Sequence, residues 1–295
     1  MRICYLSRDY PKELNFGGIA TYIYNTAHYL SKFGHEIHVI CQSANKTRDY
    51  KDKKVFIHAI KPNYFWRENR LFKKFGLVKI IDFLFGRLLS SWFFNIPCYL
   101  KFRKINFIKK FDVVESEDGA GIGLLLTYNK NIKLITKLHT PWTLTDLLNK
   151  TYSNNLDCLL TKYLEKKQFL RSYALNANSF SLKNKIRQIY KIPSNKINVL
   201  YYGLDNKDVD GYKDKKSLIK GDYIIYFGRL EERKGLKTLA NAIKLVLNKK
   251  KVKFVFVGNE PDYSHGVKSY IINKNKENLD KIIFIKHKKR KDLFP

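Results

Sequence analysis

The side chains of this 295-residue chain that can do chemistry are few, and the densest set lies in Tyr223-Ile-Ile-Tyr-Phe-Gly-Arg-Leu-Glu-Glu-Arg-Lys-Gly235. Arg229 and Lys234 follow an apolar run and Gly228. They precede Leu236, Leu239, Ala240, Ile243 and Leu247, which recur at helical spacing. A strand that opens through glycine onto a helix N-terminus is where open α/β sheets hold anions. Two fixed cations there suit a diphosphate, although composition alone favours a strand–helix unit with solvated charges. Gly17 and Gly18, ahead of another apolar helix, would let backbone amides approach a phosphate with no Cβ in the way. A plain loop entering a helix would be worded no differently. His139 stands directly past the apolar run 132–138, at a strand end of the kind that places ligands. A lone histidine is more often a structural hydrogen-bonding group. Gly258 closes the run 253–257 as Gly228 closes 223–227.

The elements that must position these residues read as alternating strands and helices. Residues 2–7 form a short apolar first strand, 19–33 a helix stopped by Gly34, and 36–41 a second strand. No G-x-G-x-x-G fingerprint accompanies this unit, which disfavours a nicotinamide enzyme. Residues 112–115 and 132–138 are further strands, with Gly119, Gly121 and Gly123 leading into an apolar helix between them. Strands at 175–180 and 196–200 close a first domain, 1–205. The polar stretch 206–221 reads as a linker, and 222–295 as a second domain with strands at 223–227, 253–257 and 282–285. The fold class is α/β, with two parallel-sheet domains.

The net charge of +31 permits anionic partners, but the lysines are spread over nearly every surface segment and no nucleic-acid motif accompanies them. Nucleic acid is therefore disfavoured; it would require strongly salt-dependent retention. Cys4, Cys41, Cys98 and Cys158 show no metal-ligand spacing, and Met1-Arg2 runs straight into a strand. Buried free thiols in a reducing cytoplasm fit. Residues 71–110 hold nine basic residues against one acid, Asp82, interleaved with ten aromatics. Asp82 and Arg87 interrupt the apolar run and Pro97 is expected to end it, so it does not span a membrane. A basic, aromatic, amphipathic segment suits an anionic membrane surface; an ordinary core-packed helix pair with a lysine-rich outer face fits equally.

Phe-Gly-Arg-Leu followed by Lys-Gly resembles the donor-phosphate motif of glycosyltransferase family 4, whose members are retaining, nucleotide-sugar-dependent enzymes of the GT-B fold. G-G-I-A-T-Y with L-S-K-F-G-H-E-I-H-V-I resembles the family's opening, and K-L-H-T its strand-end histidine. The resemblance implies two facing Rossmann-like domains. It implies donor contacts at Gly17, Gly18, Gly228, Arg229, Lys234 and Gly258, with His139 facing the donor sugar. Arg229 and Lys234 would neutralise the departing diphosphate in place of a metal, so no cofactor is expected. The acceptor would be a saccharide or lipid-linked, in cell-envelope polysaccharide or glycolipid synthesis, with the protein peripheral on the inner membrane face.

The sequence departs from the family in three places. Tyr202 replaces the asparagine of the Asn-Gly-(Val/Ile)-Asp turn completed here by Gly203, Leu204 and Asp205. Glu260 and Lys286 stand where relatives tend to carry glycine. The family's second domain also continues beyond a span of this length, through a loop with two glutamates that have no counterpart here. A truncated, marginally stable second domain is therefore expected, and the alternative function is an inactive remnant that binds a membrane surface or a partner.

Overall fold

The computed structural model describes residues 1–14, 17–152, 155–203, 219–261 and 266–286. Asp205 and 206–218 of the expected linker lie outside them. The chain divides into two units, Met1–Leu144 with Ser153–Tyr202, and Thr145–Tyr152 with Gly203–Pro295. Thr145–Tyr152, inside the domain read as 1–205, thus groups with the second unit.

The first unit is built on an eight-stranded sheet: β1 (Arg2–Ser7), β2 (Glu36–Gln42), β3 (Arg48–Asp52), β4 (Val55–Ile60), β5 (Val113–Ser116), β6 (Leu134–Leu138), β7 (Ala174–Ala177) and β8 (Ile197–Val199). Their order is β3-β4-β2-β1-β5-β6-β7-β8, and only the β3–β4 pair is antiparallel. A parallel sheet is covered on both faces, so its strands are apolar on both sides. β1 shows this: Ile3 and Tyr5 pack with Ile23 and Ala27 of helix α1 (Gly18–Lys32). Cys4 and Leu6 pack on the other face with Phe94, Cys98 and Phe102. All four cysteines are buried and none is in a disulfide.

Phe94, Cys98 and Phe102 belong to a long helix that follows two short ones, α2 (Phe65–Glu68) and α3 (Arg70–Lys74). That helix, α4, runs from Leu77 to Ile108 with Pro97 inside it. The expectation that Pro97 ends the segment is therefore wrong. Proline removes one backbone donor from the ladder, but the buried face continues through it, from Phe94 and Cys98 to Phe102. The expected helix pair over 71–110 is likewise mostly this one helix. After β5 there is no regular helix. Gly119–Gly121 and Leu124–Tyr128 are tight 3₁₀ turns, and side chains crowd the glycines. A Cβ on Gly119 would meet the Trp142 ring at 2.9 Å, and one on Gly123 the Ser116 hydroxyl at 2.6 Å. Helices α5 (Trp142–Asn149), α6 (Leu156–Arg171) and α7 (Phe180–Tyr190) complete this part of the chain. The strand expected at 175–180 therefore stops at Ala177, and Phe180 opens α7.

The second unit has the parallel sheet β11-β10-β9, from β9 (Tyr223–Phe227), β10 (Lys253–Val257) and β11 (Ile282–Ile285). Helices α8 (Leu236–Leu247) and α9 (Val267–Lys274) cover one face through Leu236, Ala240, Ile243, Val267 and Ile271. Among the described residues β9 pairs with β10 alone, and Phe227 is 65% exposed. The Glu260 side chain acts locally. Its Oε1 accepts the Val267 backbone N–H at 2.6 Å, capping α9 at an end that Gly266 cannot cap.

Candidate functional site

Strand alternation puts Glu115 of β5 and Lys137 of β6 on one face, since Glu115 pairs with Ile135 and Lys137 is two residues on. His139 continues the same alternation just past the strand end. Helix α1 lies over this face and sends Tyr22 into it, four residues after Gly18. The Tyr22 hydroxyl donates to Glu115 Oε1 at 2.9 Å. Its ring meets the His139 ring edge-on, with centroids 5.2 Å apart. Lys137 Nζ lies between the Tyr22 and Tyr202 rings, 5.3 and 5.1 Å from their centroids, and donates to the Leu200 carbonyl at 2.8 Å.

His139 is 8% exposed. Its backbone N–H donates to Asp118 Oδ2 at 2.8 Å, and its Nδ1 lies 2.5 Å from the Tyr202 hydroxyl. Burial, reinforced by the Lys137 ammonium, pushes its imidazole down to about 3, so the ring is neutral at physiological pH. Burial pushes the Glu115 carboxyl up to about 7, against the Tyr22 hydrogen bond and Lys137. Nε2 of His139 is buried and has no hydrogen-bond partner among the described residues. An unpaired buried polar atom is costly, so this ring edge is suited to receive a polar ligand.

Behind the strand ends, Glu165 of α6 is fully buried and ties the loops in place. It accepts from Trp142 N at 2.8 Å, Thr143 Oγ1 at 2.7 Å, Tyr190 Oη at 2.5 Å and Ala120 N at 3.4 Å. Gly17 and Gly18 sit at the start of α1, and a Cβ on either would meet nothing within 4 Å. Among the described residues no packing requirement explains these glycines, and Gly17 brings no side chain to cap the helix.

In the second unit the β9–α8 connection gathers more charge than the sequence reading assigned. Glu231 is buried. Its Oε1 receives Arg233 Nη2 at 2.6 Å and Arg229 Nη2 at 3.4 Å, and Asn149 Nδ2 donates to its Oε2 at 3.3 Å. Burial alone would raise this carboxyl, but Arg233 and Arg229 hold it below the usual carboxylate range. Lys234 is pushed down by burial and by the neighbouring Arg233. Arg229 and Arg233 thus pair with one carboxylate, and Lys234 adds a third cation to the same turn, leaving a local excess of positive charge. Gly228 and Gly258 lie together: Gly228 N donates to Val257 O at 2.9 Å, and Gly258 N to Ile285 O at 2.9 Å. The glycine at 258 is required by contact with Gly228 itself.

Residues 16–208 match the family model "Glycosyltransferase Family 4", and residues 221–294 match "Glycosyl transferases group 1". The chain belongs to glycosyltransferase family 4. It is a transferase with the GT-B fold. No curated protein matches the sequence. Among solved structures it is similar to a sucrose-phosphate synthase from Thermosynechococcus elongatus, at 15% identity and a TM-score of 0.67, covering 99% of this chain and 72% of that one. It is also similar to an α,α-trehalose-phosphate synthase (UDP-forming) from Burkholderia xenovorans in complex with glucose-6-phosphate, at 13% identity and a TM-score of 0.67, covering 98% and 75%. A third likeness is to HepE from Anabaena in complex with UDP and glucose, at 14% identity and a TM-score of 0.57, covering 98% and 70%.

Within the family frame, the first match contains Gly17, Gly18 and His139, and the second contains Gly228, Arg229, Lys234 and Gly258. Sequence reasoning did not single out Tyr22, Glu115, Lys137, Arg233 or Glu231. For Glu115 and Lys137 the available signal was a charged residue inside an otherwise apolar strand. In a sheet buried on both faces, such a residue needs a partner.

Proposed function

We propose that this glycosyltransferase moves a sugar from a nucleotide-sugar to a saccharide or lipid-linked acceptor with retention of configuration. The observation that carries the reading is the basic turn between β9 and α8, where Arg229 and Lys234 stand beside Arg233 and buried Glu231. Preorganised cations stabilise negative charge as it develops on a departing diphosphate. Arginine offers a planar fork for phosphate oxygens and lysine a compact charge. The backbone amides at Gly17 and Gly18 are additional phosphate donors, Gly228 and Gly258 shape the basic turn, and neutral His139 is the sugar contact. The acceptor hydroxyl attacks from the face that the leaving group vacates. UDP and UDP-glucose in the structures of HepE support a nucleotide-sugar donor by analogy.

The test is turnover of a nucleotide-sugar panel by the full chain, scored by release of nucleoside diphosphate. Arg229→Ala is expected to lower kcat/KM about 100-fold or more. A wild-type protein that neither binds nor turns over any nucleotide-sugar defeats this reading and leaves that of a binding protein.

A membrane-surface role for α3 and the start of α4 accompanies the transferase reading. Leu71, Phe75, Ile80 and Phe83 are 63%, 67%, 54% and 68% exposed, beside Arg70, Lys73, Lys74 and Lys79. Exposed apolar and basic residues on one short segment suit an anionic lipid surface. No helix among the described residues is long and apolar enough to cross a membrane. Attachment at such a surface fits a lipid-linked acceptor in cell-envelope polysaccharide or glycolipid synthesis.

A further inference from the structure

We propose that Tyr202 is a positioning residue for His139, fixing the imidazole so that Nε2 carries the proton and offers it to the donor sugar. This rests on the transferase reading above and adds a residue to it. Tyr202 occupies the place of the family turn's asparagine, so the contact belongs to this chain's own sequence.

The hydrogen-bond order sets the tautomer. Asn178 Nδ2 donates to the Tyr202 hydroxyl at 3.2 Å, and the same hydroxyl lies 2.5 Å from His139 Nδ1. A phenol has one proton to give. With Asn178 filling an acceptor position, that proton goes to Nδ1. A neutral imidazole that accepts at Nδ1 carries its own proton on Nε2. Nε2 is the buried atom left without a partner among the described residues. The supports of this arrangement are themselves held. Lys137 bonds the Leu200 carbonyl, two residues before Tyr202, and its ammonium lies over the Tyr202 ring. The His139 backbone is pinned to Asp118. Tyr22 closes one side of the imidazole edge-on. Nε2 is therefore the proton-bearing, unpartnered edge of the ring among the described residues, and the chemical class that fits it is a hydrogen-bond acceptor such as a sugar hydroxyl oxygen.

The deciding measurement is the tautomer of His139 in the full-length chain, from long-range proton–nitrogen NMR at neutral pH. Its signals are assigned by their loss in His139→Gln. The expected wild-type result is an unprotonated Nδ1 and a protonated Nε2. Tyr202→Phe is expected to release that preference and to lower kcat about tenfold at nearly constant KM for the nucleotide-sugar. Tyr202 is 40% exposed, and its variant should melt close to wild type, which separates positioning from folding. A wild-type Nδ1–H tautomer, or an unchanged kcat in Tyr202→Phe, overturns the proposal. Absence of turnover in the wild type would defeat the transferase reading instead, and the tautomer measurement stands without it.

Discussion

Gly258 lies so close to Gly228 that a Cβ built on Gly258 would overlap the Gly228 carbonyl oxygen. Gly258 also has φ +148°, a backbone conformation open essentially to glycine alone. Gly258→Ala should therefore destabilise the protein by about 3 kcal/mol or more. A urea unfolding midpoint equal to wild type would show that the two strand ends relax, and that the glycine serves a ligand rather than the fold.

Arg229 has the opposite profile. Its side chain is 57% exposed, so substitution should cost little stability. Arg229→Lys keeps the charge and loses the fork, and kcat/KM should fall about tenfold. Equal activity in the two proteins would mean that only net charge matters at the basic turn.

Glu165 collects four donors in a buried site, two on the first turn of α5 (Trp142 and Thr143), one on the Gly119–Gly121 turn (Ala120) and one on α7 (Tyr190). Removing the acceptor strands them. Glu165→Ala should cost about 3–5 kcal/mol, seen as a large drop in melting temperature or a loss of soluble protein. A change below about 1 kcal/mol would mean that water replaces the carboxylate.

His139 and Glu115 give the fold opposing pH dependences. The folded His139 pKa of about 3 lies below the ordinary histidine value of 6.5. The unfolded chain therefore binds its proton more tightly, and stability is lost as pH falls from 6.5 toward 3, at up to about 1.4 kcal/mol per pH unit. The folded Glu115 pKa of about 7 lies above the ordinary 4.5. Its contribution is present below 4.5 and lost as pH rises through 7. Relative to wild type, His139→Gln should shift the stability balance between about pH 5 and pH 7 toward pH 5, and Glu115→Gln should shift it toward pH 7. Identical pH profiles in all three proteins would contradict both shifts.

Phe75 and Phe83 provide the check on membrane attachment. Co-sedimentation with anionic vesicles should weaken in Phe75→Ser/Phe83→Ser and with rising salt, since each basic side chain near the surface contributes about 1 kcal/mol. Wild-type protein that ignores anionic vesicles at moderate salt removes the membrane role.

The sequence by itself determined the alternation of strands and helices and the family. Buried parallel strands are continuous apolar runs, and Phe-Gly-Arg-Leu with Lys-Gly keeps its order along the chain. Arg229 and His139 could be singled out as candidates because each stands just past such a run, and Lys234 because of the Lys-Gly pair that opens α8. The extent of α4 was not, because Pro97 reads locally as a stop, and only the packing of Phe94, Cys98 and Phe102 carries the helix past it. The partners of His139 were equally hidden. Tyr22, Glu115, Lys137 and Tyr202 are far apart along the chain, and strand register together with the placement of α1 decides that they meet. Gly258 shows the same division: sequence showed a glycine after a strand, and only the close approach of two neighbouring parallel strand ends explained why it must be one.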